Sequence, residues 1–365
     1  MSGTTTAPAP DFPTTGLTAI GSERELVEFL RARRDGEPPL RLCGGGTRLT
    51  STAAPDRPVQ LVSLAAMNRI LRLEPDDLTC SVEPGVTRAE LDAALHARGL
   101  WLPSEADAGS LGAHFALGRA SPEAPGPLAS IGARALLLGT RGVLAEGKAF
   151  ASGARVVKSV AGFDLHKLFV GSRGRLFAAT ELHLKLRTRP RAASGFALDG
   201  LERDEALRRL EDLRHDPLPP ARLWLERRAS GGAFSLHGRW DGPARAVAAA
   251  LRRHGLREAS PQFPTTTAAG LERVGGFVLH SRIAALDSAA RAAVVLRVSG
   301  GGRFEVHGDA ATCEAVLAVL PALDASGELE LGDPARRGRG TPPDPGAAAI
   351  AARLRAALDP GKVLR

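Results

Sequence analysis

Three consecutive glycines follow a short strand signal: Leu40-Arg41-Leu42 runs straight into Cys43-Gly44-Gly45-Gly46-Thr47. A glycine triplet lets successive backbone N–H groups converge on an anion with no Cβ in the way, and a pyrophosphate is the usual guest. The residues after the triplet exclude two phosphate-binding folds. No Gly-Lys-Ser/Thr comes next, so this is not a Walker loop. The G-x-G-x-x-G spacing is missing, and the chain runs to Pro55 and Pro58 rather than into a helix, so it is not a Rossmann fingerprint. On the triplet alone, a plain tight turn remains open.

A second string, Lys158 to Leu176, mixes glycine, serine and basic residues between apolar ones. Gly171 to Gly174 offer a further set of N–H donors together with the Ser172 hydroxyl, and Lys158 or Arg175 would offset phosphate charge. A basic surface loop is the alternative.

The rest of the chain supplies a frame. Residues 1–16 read as a flexible Pro/Thr tail. Ser22 with Glu25, and Thr87 with Glu90, are capping boxes that open helices, and Gly99 stops the second one. Val59–Val62 reads as a strand. Ile70–Leu73 and Leu78–Val82 form a hairpin around Pro75-Asp76-Asp77, closing on Glu83-Pro84-Gly85-Val86. Arg189-Pro190 marks a boundary between a domain over 17–190 and another over 191–332, whose β-α-β-β-α order resembles a ferredoxin-like α+β layer. Residues 333–346 read as a Gly/Pro/Arg linker, and 347–365 as a helix with a short return segment. No internal repeat is evident.

Composition narrows the function classes. The formal charge is +8 and the pI about 10.3, which invites a nucleic-acid reading. That reading needs a basic patch with stacking aromatics. Here arginines are interleaved with acids, as in Glu202-Arg203-Asp204-Glu205, aromatics are 4% and tyrosine is absent. The bias fits a GC-rich genome, and no nucleic-acid partner is expected. Cys43, Cys80 and Cys313 lie far apart, with no metal or disulfide spacing. The N-terminus lacks a signal peptide's basic and apolar regions, and no stretch approaches a transmembrane span. A cytoplasmic protein is expected, meeting a membrane only through partners.

The order GGGT, VEPG, T-x-x-E-L, SLG, VVK-x-VAGFDL-x-KLFVGS-x-G and LHLKL resembles the flavin-binding half of the vanillyl-alcohol-oxidase (PCMH) type of FAD proteins. It is most similar to the glycolate oxidase FAD-binding subunits, over about residues 20–190 and again at the closing LDPGKVLR. The resemblance implies a two-subdomain α+β fold clasping non-covalent FAD, with a cap over the isoalloxazine. By position, Gly44, Gly45, Gly46, Thr47 and Arg48 would cradle the pyrophosphate. Pro103 would lie beside the flavin, Ser110, Leu111 and Gly112 would continue the phosphate and ribityl contacts, and Ser172 and Gly174 belong to the later G-S-x-G segment. It further implies a catalytic flavoprotein subunit and an iron–sulfur subunit as partners, with hydride transfer from a small 2-hydroxy acid.

This chain departs from the pattern at Ala113, Ala135 and Phe177. Ala113 places a Cβ where the family has a close-approach glycine, Ala135 loses a carboxylate, and Phe177 in place of glycine is expected to obstruct the cofactor. These changes motivate an alternative, a flavin-free subunit that keeps the fold and docks partners. His237, His280 and His307 are isolated and read as strand-surface or core residues, so no metal site is expected. His166 faces either the cofactor or solvent. No general base is evident, so the catalytic residues stay unknown.

Overall fold

The computed structural model describes residues 10–49, 54–104, 109–118, 132–155, 163–228, 231–259, 271–342 and 344–365. The first layer is a parallel sheet. β1 (Thr14–Ala19) leads through α1 (Glu23–Arg31) to β2 (Leu40–Cys43), and both strands pair in parallel with β3 (Val59–Ser63) in the order β1-β3-β2. Ser22 caps α1 by accepting from the Glu25 N–H at 3.1 Å, and the Glu25 carboxylate reaches back to the Gly21 N–H at 2.8 Å. Leu26 and Leu30 of α1 join a core with Leu40 and Val62.

The tail is shorter than its composition implies. Thr14 to Gly16 are strand residues, and Phe12 is buried with Leu49, Val59 and Leu61. Residues 1–9 lie outside the described residues.

The second layer is antiparallel. In chain order it contains β4 (Ile70–Glu74), β5 (Thr79–Val82), α2 (Arg88–His96), β6 (Leu100–Trp101), α3 (Leu111–Leu117), α4 (Ala133–Leu136), β7 (Leu137–Val143), β8 (Ala149–Gly153), β9 (Ala178–Lys185) and β10 (Arg187–Thr188). Five strands form one sheet, β4-β5-β9-β7-β8, and β6 pairs with β10. The Thr87–Glu90 capping box forms in full at α2. Leu91 and Leu95 of α2 and Leu111 and Phe115 of α3 share a core with Val82, Leu182 and Leu184.

The third layer is a seven-stranded antiparallel sheet. Its elements are β11 (Ala192–Leu201), α5 (Arg203–Arg214), β12 (Arg222–Arg228), β13 (Phe234–Gly242), α6 (Ala244–Arg253), β14 (Glu272–Phe277), α7 (Ile283–Ala289), β15 (Val295–Ser299), β16 (Arg303–Gly308), α8 (Ala310–Val319) and β17 (Ser326–Leu331). The spatial order is β11-β13-β12-β15-β16-β14-β17.

This order contains a repeat that the sequence does not display. β14-α7-β15-β16-α8-β17 is a complete βαββαβ unit in which the first strand lies between the third and the fourth. β11-α5-β12-β13-α6 repeats it, with the fourth strand reduced to an antiparallel bridge of Ala259 to Gly195. The two units join back to back through their second strands, with Glu226 opposite Arg297.

Helices α5, α6, α7 and α8 cover one face. Leu210, Val247, Leu286 and Val316 share a core with Leu225, Val298, Phe304 and Val306. Strand alternation sends the intervening residues, Glu226, Arg297, Arg303, Glu305 and His307, to the other face.

Residues 333–346 are tied down rather than linking. The Leu329 and Arg339 backbones bond to each other at 2.8 Å, and Glu328 bridges to Gly340 along the outer edge of β17. Arg336 pairs with Glu272, and Arg337 reaches Asp11 at 2.5 Å. α9 (Pro345–Leu358) then leads back to the first layer. There Val363 and Arg365 make backbone bonds to both sides of Leu40, each 2.7 Å. The Asp359 carboxylate accepts from the Val363 and Leu364 N–H groups at 2.7 and 2.8 Å, which fixes the turn.

Candidate functional site

Between the first two layers lies a cleft of about 900 Å³. β2 delivers the glycine loop to its wall and α3 delivers its own first turn opposite. Gly44, Gly45, Gly46, Thr47, Arg48, Ser110, Gly112 and Gly174 all line it. Stretches separated by more than a hundred residues therefore meet around one space.

The glycine loop is anchored at its start. Ser63 Oγ donates to the Gly44 carbonyl at 3.0 Å, and the Cys43 carbonyl accepts from the Leu64 N–H at 2.8 Å. A Cβ on Gly44 would lie 2.9 Å from Ser110 Cβ, whereas a Cβ on Gly45 would meet nothing within 4 Å. Gly44 is thus required by packing, and Gly45 opens onto the cleft. Across the cleft, Ser110 caps α3 by accepting from the Ala113 N–H at 3.3 Å. The Gly112 N–H donates to the Pro84 carbonyl at 2.8 Å, and a Cβ there would sit 2.7 Å from Pro84 Cβ. The Glu83-Pro84-Gly85-Val86 turn is the hub behind both. Glu83 holds Arg69 through Oε1 at 2.7 Å and accepts from its N–H at 2.8 Å.

Three of the expected site residues stay out of the cleft wall. Leu111 is buried in the core behind it. Pro103 is half-buried beyond β6. Ser172 acts one step back, accepting through Oγ from the Gly174 N–H at 3.2 Å, so it shapes the turn whose glycine does line the cleft. Lys158 lies outside the described residues.

The three departures do not act alike. Phe177 does not obstruct the cleft. Its ring is buried in the core, edge-on to Phe150 at 4.9 Å and stacked on Phe169 at 5.5 Å, and Phe169 is the ring that reaches the wall. Ala135 is exposed on α4, away from the cleft. Ala113 alone of the three lines it.

The cleft carries more positive charge than its motifs imply. Arg41, Arg173 and Arg175 line it beside the glycines. Burial lowers Arg41 to about 10, and Arg175, Arg173 and Arg337 add repulsion. The sequence does hold a signal for Arg41, which stands two residues before Cys43-Gly44 on the strand that delivers the glycine loop. His114 of α3 is also buried here. Burial lowers it to about 4, with Arg48 and Arg88 adding to the shift, so it is neutral. His166 is buried, its Nδ1 3.3 Å from Ser152 Oγ. Burial raises the Cys43 thiol to about 11 and Cys80 to about 12, so neither is a ready nucleophile.

On the seven-stranded sheet, His307 Nε2 sits 3.4 Å from Glu305 Oε2, and His237 stacks on Trp224 at 5.3 Å. Among the described residues no group of three or more His, Cys, Asp or Glu side chains is arranged to hold a metal. Among them, too, no helix is long and apolar enough to cross a membrane.

A cleft between a glycine loop on one layer and a capped helix turn on the other agrees with the expected two-subdomain α+β fold of the PCMH type. Residues 15–150 match the family model described as the FAD binding domain. The chain is 30% identical over 224 residues to glycolate oxidase subunit GlcE of Escherichia coli K12, covering 58% of this chain and 61% of that one. It is 30% identical over 169 residues to glycolate oxidase subunit GlcD of Bacillus subtilis, covering 46% and 35%. A mitochondrial D-lactate dehydrogenase [cytochrome] of Arabidopsis thaliana is 32% identical over 46% of this chain and 30% of its own. The chain therefore spans less than two thirds of the curated relatives it matches. Among solved structures, an alkyldihydroxyacetonephosphate synthase superposes with a TM-score of 0.70 over 95% of this chain and 75% of its own, at 13% identity, which shows the shared fold.

Proposed function

We propose that this protein is the FAD-binding subunit of a glycolate-oxidase-like 2-hydroxy-acid dehydrogenase complex in the cytoplasm, working beside a catalytic flavoprotein subunit and an iron–sulfur subunit. The observation that carries the reading is the convergence of Gly44–Thr47, Ser110, Gly112 and Gly174 on one cleft. Gly45 offers backbone to a diphosphate with no side chain in the way, and Arg41, Arg173 and Arg175 supply positive charge at the same wall. These residues fit FAD.

Held by these residues, FAD would supply the redox chemistry, accepting two electrons together and passing them on singly. The chain's own work is to hold and orient. The Ser63 hydroxyl and the Pro84 carbonyl fix the two glycine turns, Phe169 closes the wall with an apolar ring, and neutral His114 keeps its charge off the site. Among the described residues that line the cleft there is no carboxylate or imidazole to act as a general base for a substrate hydroxyl, which favours electron transfer within the complex over independent oxidation.

The test is the visible spectrum of the purified full-length chain. A flavin doublet that survives gel filtration, or returns on adding FAD, is expected. A colourless protein that cannot be reconstituted would overturn the reading in favour of a flavin-free docking subunit.

A further inference from the structure

A second recess, of about 580 Å³, adjoins the flavin cleft, and Arg41, Arg175, Arg355 and Arg365 line it. They arrive from three parts of the chain: β2, the turn after Gly174, and the C-terminal segment. Asp56 is the one acidic side chain among the described lining residues. Arg41 and Arg175 line both spaces, so the recess and the cleft share a wall.

Bringing these guanidinium groups together is unfavourable. Burial lowers Arg175, and Arg173, Arg355 and Arg365 push it further down, against a smaller pull from Glu328. The Nε of Arg365 is buried without a hydrogen-bond partner. Folding does not demand the gathering, because the C-terminal segment is already docked by Leu364 in the core, by the backbone bonds to Leu40 and by Asp359. A stable fold can tolerate such repulsion where a ligand relieves it, since an anion here gains several charge-assisted hydrogen bonds at once.

We propose that this arginine recess binds a second small anion of the diphosphate class, separate from the flavin in the neighbouring cleft. Planar guanidinium forks match phosphoryl oxygens two at a time, and a diphosphate presents enough of them to engage groups on opposite walls. A single carboxylate would leave most of the charge uncompensated. The concave shape favours a small ligand over a protein surface. The site does not depend on flavin occupancy, because Arg355 and Arg365 lie outside the flavin cleft.

Calorimetric titration of inorganic pyrophosphate into the full chain, with and without bound FAD, tests this. Stoichiometric binding to the flavin-loaded protein is expected. It should weaken at least tenfold in Arg355→Ala and Arg365→Ala, with the flavin spectrum and the melting temperature unchanged. Pyrophosphate that binds only flavin-free protein and competes with FAD overturns the proposal, because the arginines then serve the flavin's own diphosphate. Absence of binding in both forms overturns it as well, and citrate binding as tightly as pyrophosphate overturns the diphosphate assignment. A protein that holds no flavin yet binds pyrophosphate through Arg355 and Arg365 would sink the flavin reading and leave this one standing.

Discussion

The seven-stranded layer and the cleft between the first two layers place arginines in opposite company. On the face of the seven-stranded sheet away from its helices, Arg297 meets Glu226 at 2.6 Å and Arg303 meets Glu330 at 2.6 Å, while Arg273 reaches Glu330 at 3.2 Å. At the flavin cleft, Arg41 and Arg175 are surrounded chiefly by other arginines, with Glu328 held on Arg173 nearby. Both arrangements put charge into a poorly solvated place. In the first the compensation is built into the fold, so the face is finished without a ligand. In the second the arginines repel one another, with Glu328 the opposing charge on Arg175, which is the arrangement the proposed anion would relieve. The difference separates a structural use of charge from a binding use, and it is set by which acids the fold brings alongside each arginine.

The largest effect should come from breaking the finished side. Glu305 lies between His307 at 3.4 Å and Arg297 at 3.5 Å. Burial pushes its carboxyl up, but the His307 hydrogen bond and the nearby Arg273 and Arg303 outweigh it and hold it at about 2. Removing one member of a buried charge network leaves its partners exposed to the full desolvation penalty, so Glu305→Gln should cost about 3 kcal/mol in a denaturant melt. Flavin affinity should stay within twofold. An equal loss of flavin binding would show that the two halves are not separable.

The next prediction uses pH to set the halves apart. His114 is held neutral in the fold, near 4, against about 6.5 when unfolded. Between those values the unfolded chain binds the extra proton, so stability is complete above about pH 6.5 and drains as pH falls towards 4, by up to about 3 kcal/mol. Glu305 is the opposite chemical type with the same sign. Its contribution is present above its unfolded value, about 4.3, and is lost as pH falls through about 2. Burial also lowers His166 and His183 in the second layer and His237 and His280 in the third, so both halves lose some stability as pH falls below about 6.5. Hydrogen exchange across a pH series should show His114→Leu removing part of that loss around α3 alone and leaving the later Glu305 step unchanged, and a variant that shifts both steps equally would remove the distinction.

Legibility in the sequence tracks the range of the interactions. The glycine loop, the VEPG turn and the Thr87 capping box are local patterns, and each sits where its residues imply. The repeat in the cap is hidden because its signature is spatial: second strands meeting as neighbours, and one fourth strand shrunk to the Ala259 bridge. Phe177 escapes a sequence reading for a related reason. Its position in a motif is visible, but the side to which its ring turns is decided by Phe150 and Phe169. The arginine recess joins residues 41, 175, 355 and 365, and no sequence window spans them.

The smallest effect is also the sharpest probe of the cleft itself. Ser110 Oγ caps α3, and the Ser110 side chain is what a Cβ on Gly44 would strike. Replacing a capping serine by glycine loses only a few tenths of a kcal/mol, so Ser110→Gly should barely move the melting temperature. Gly44→Ala alone should be worse, about 1 kcal/mol or more, because it overpacks a fixed contact, and it should weaken FAD at least tenfold by displacing the loop. Combined with Ser110→Gly, the clash partner is gone and most of both losses should be recovered, a coupling that a double-mutant cycle measures directly. Gly45→Ala meets nothing in the protein, so it should leave stability alone and weaken flavin only. If Gly44→Ala is not rescued by Ser110→Gly, the two walls of the cleft do not touch as described. If Gly45→Ala leaves FAD affinity unchanged, the diphosphate does not lie on this loop.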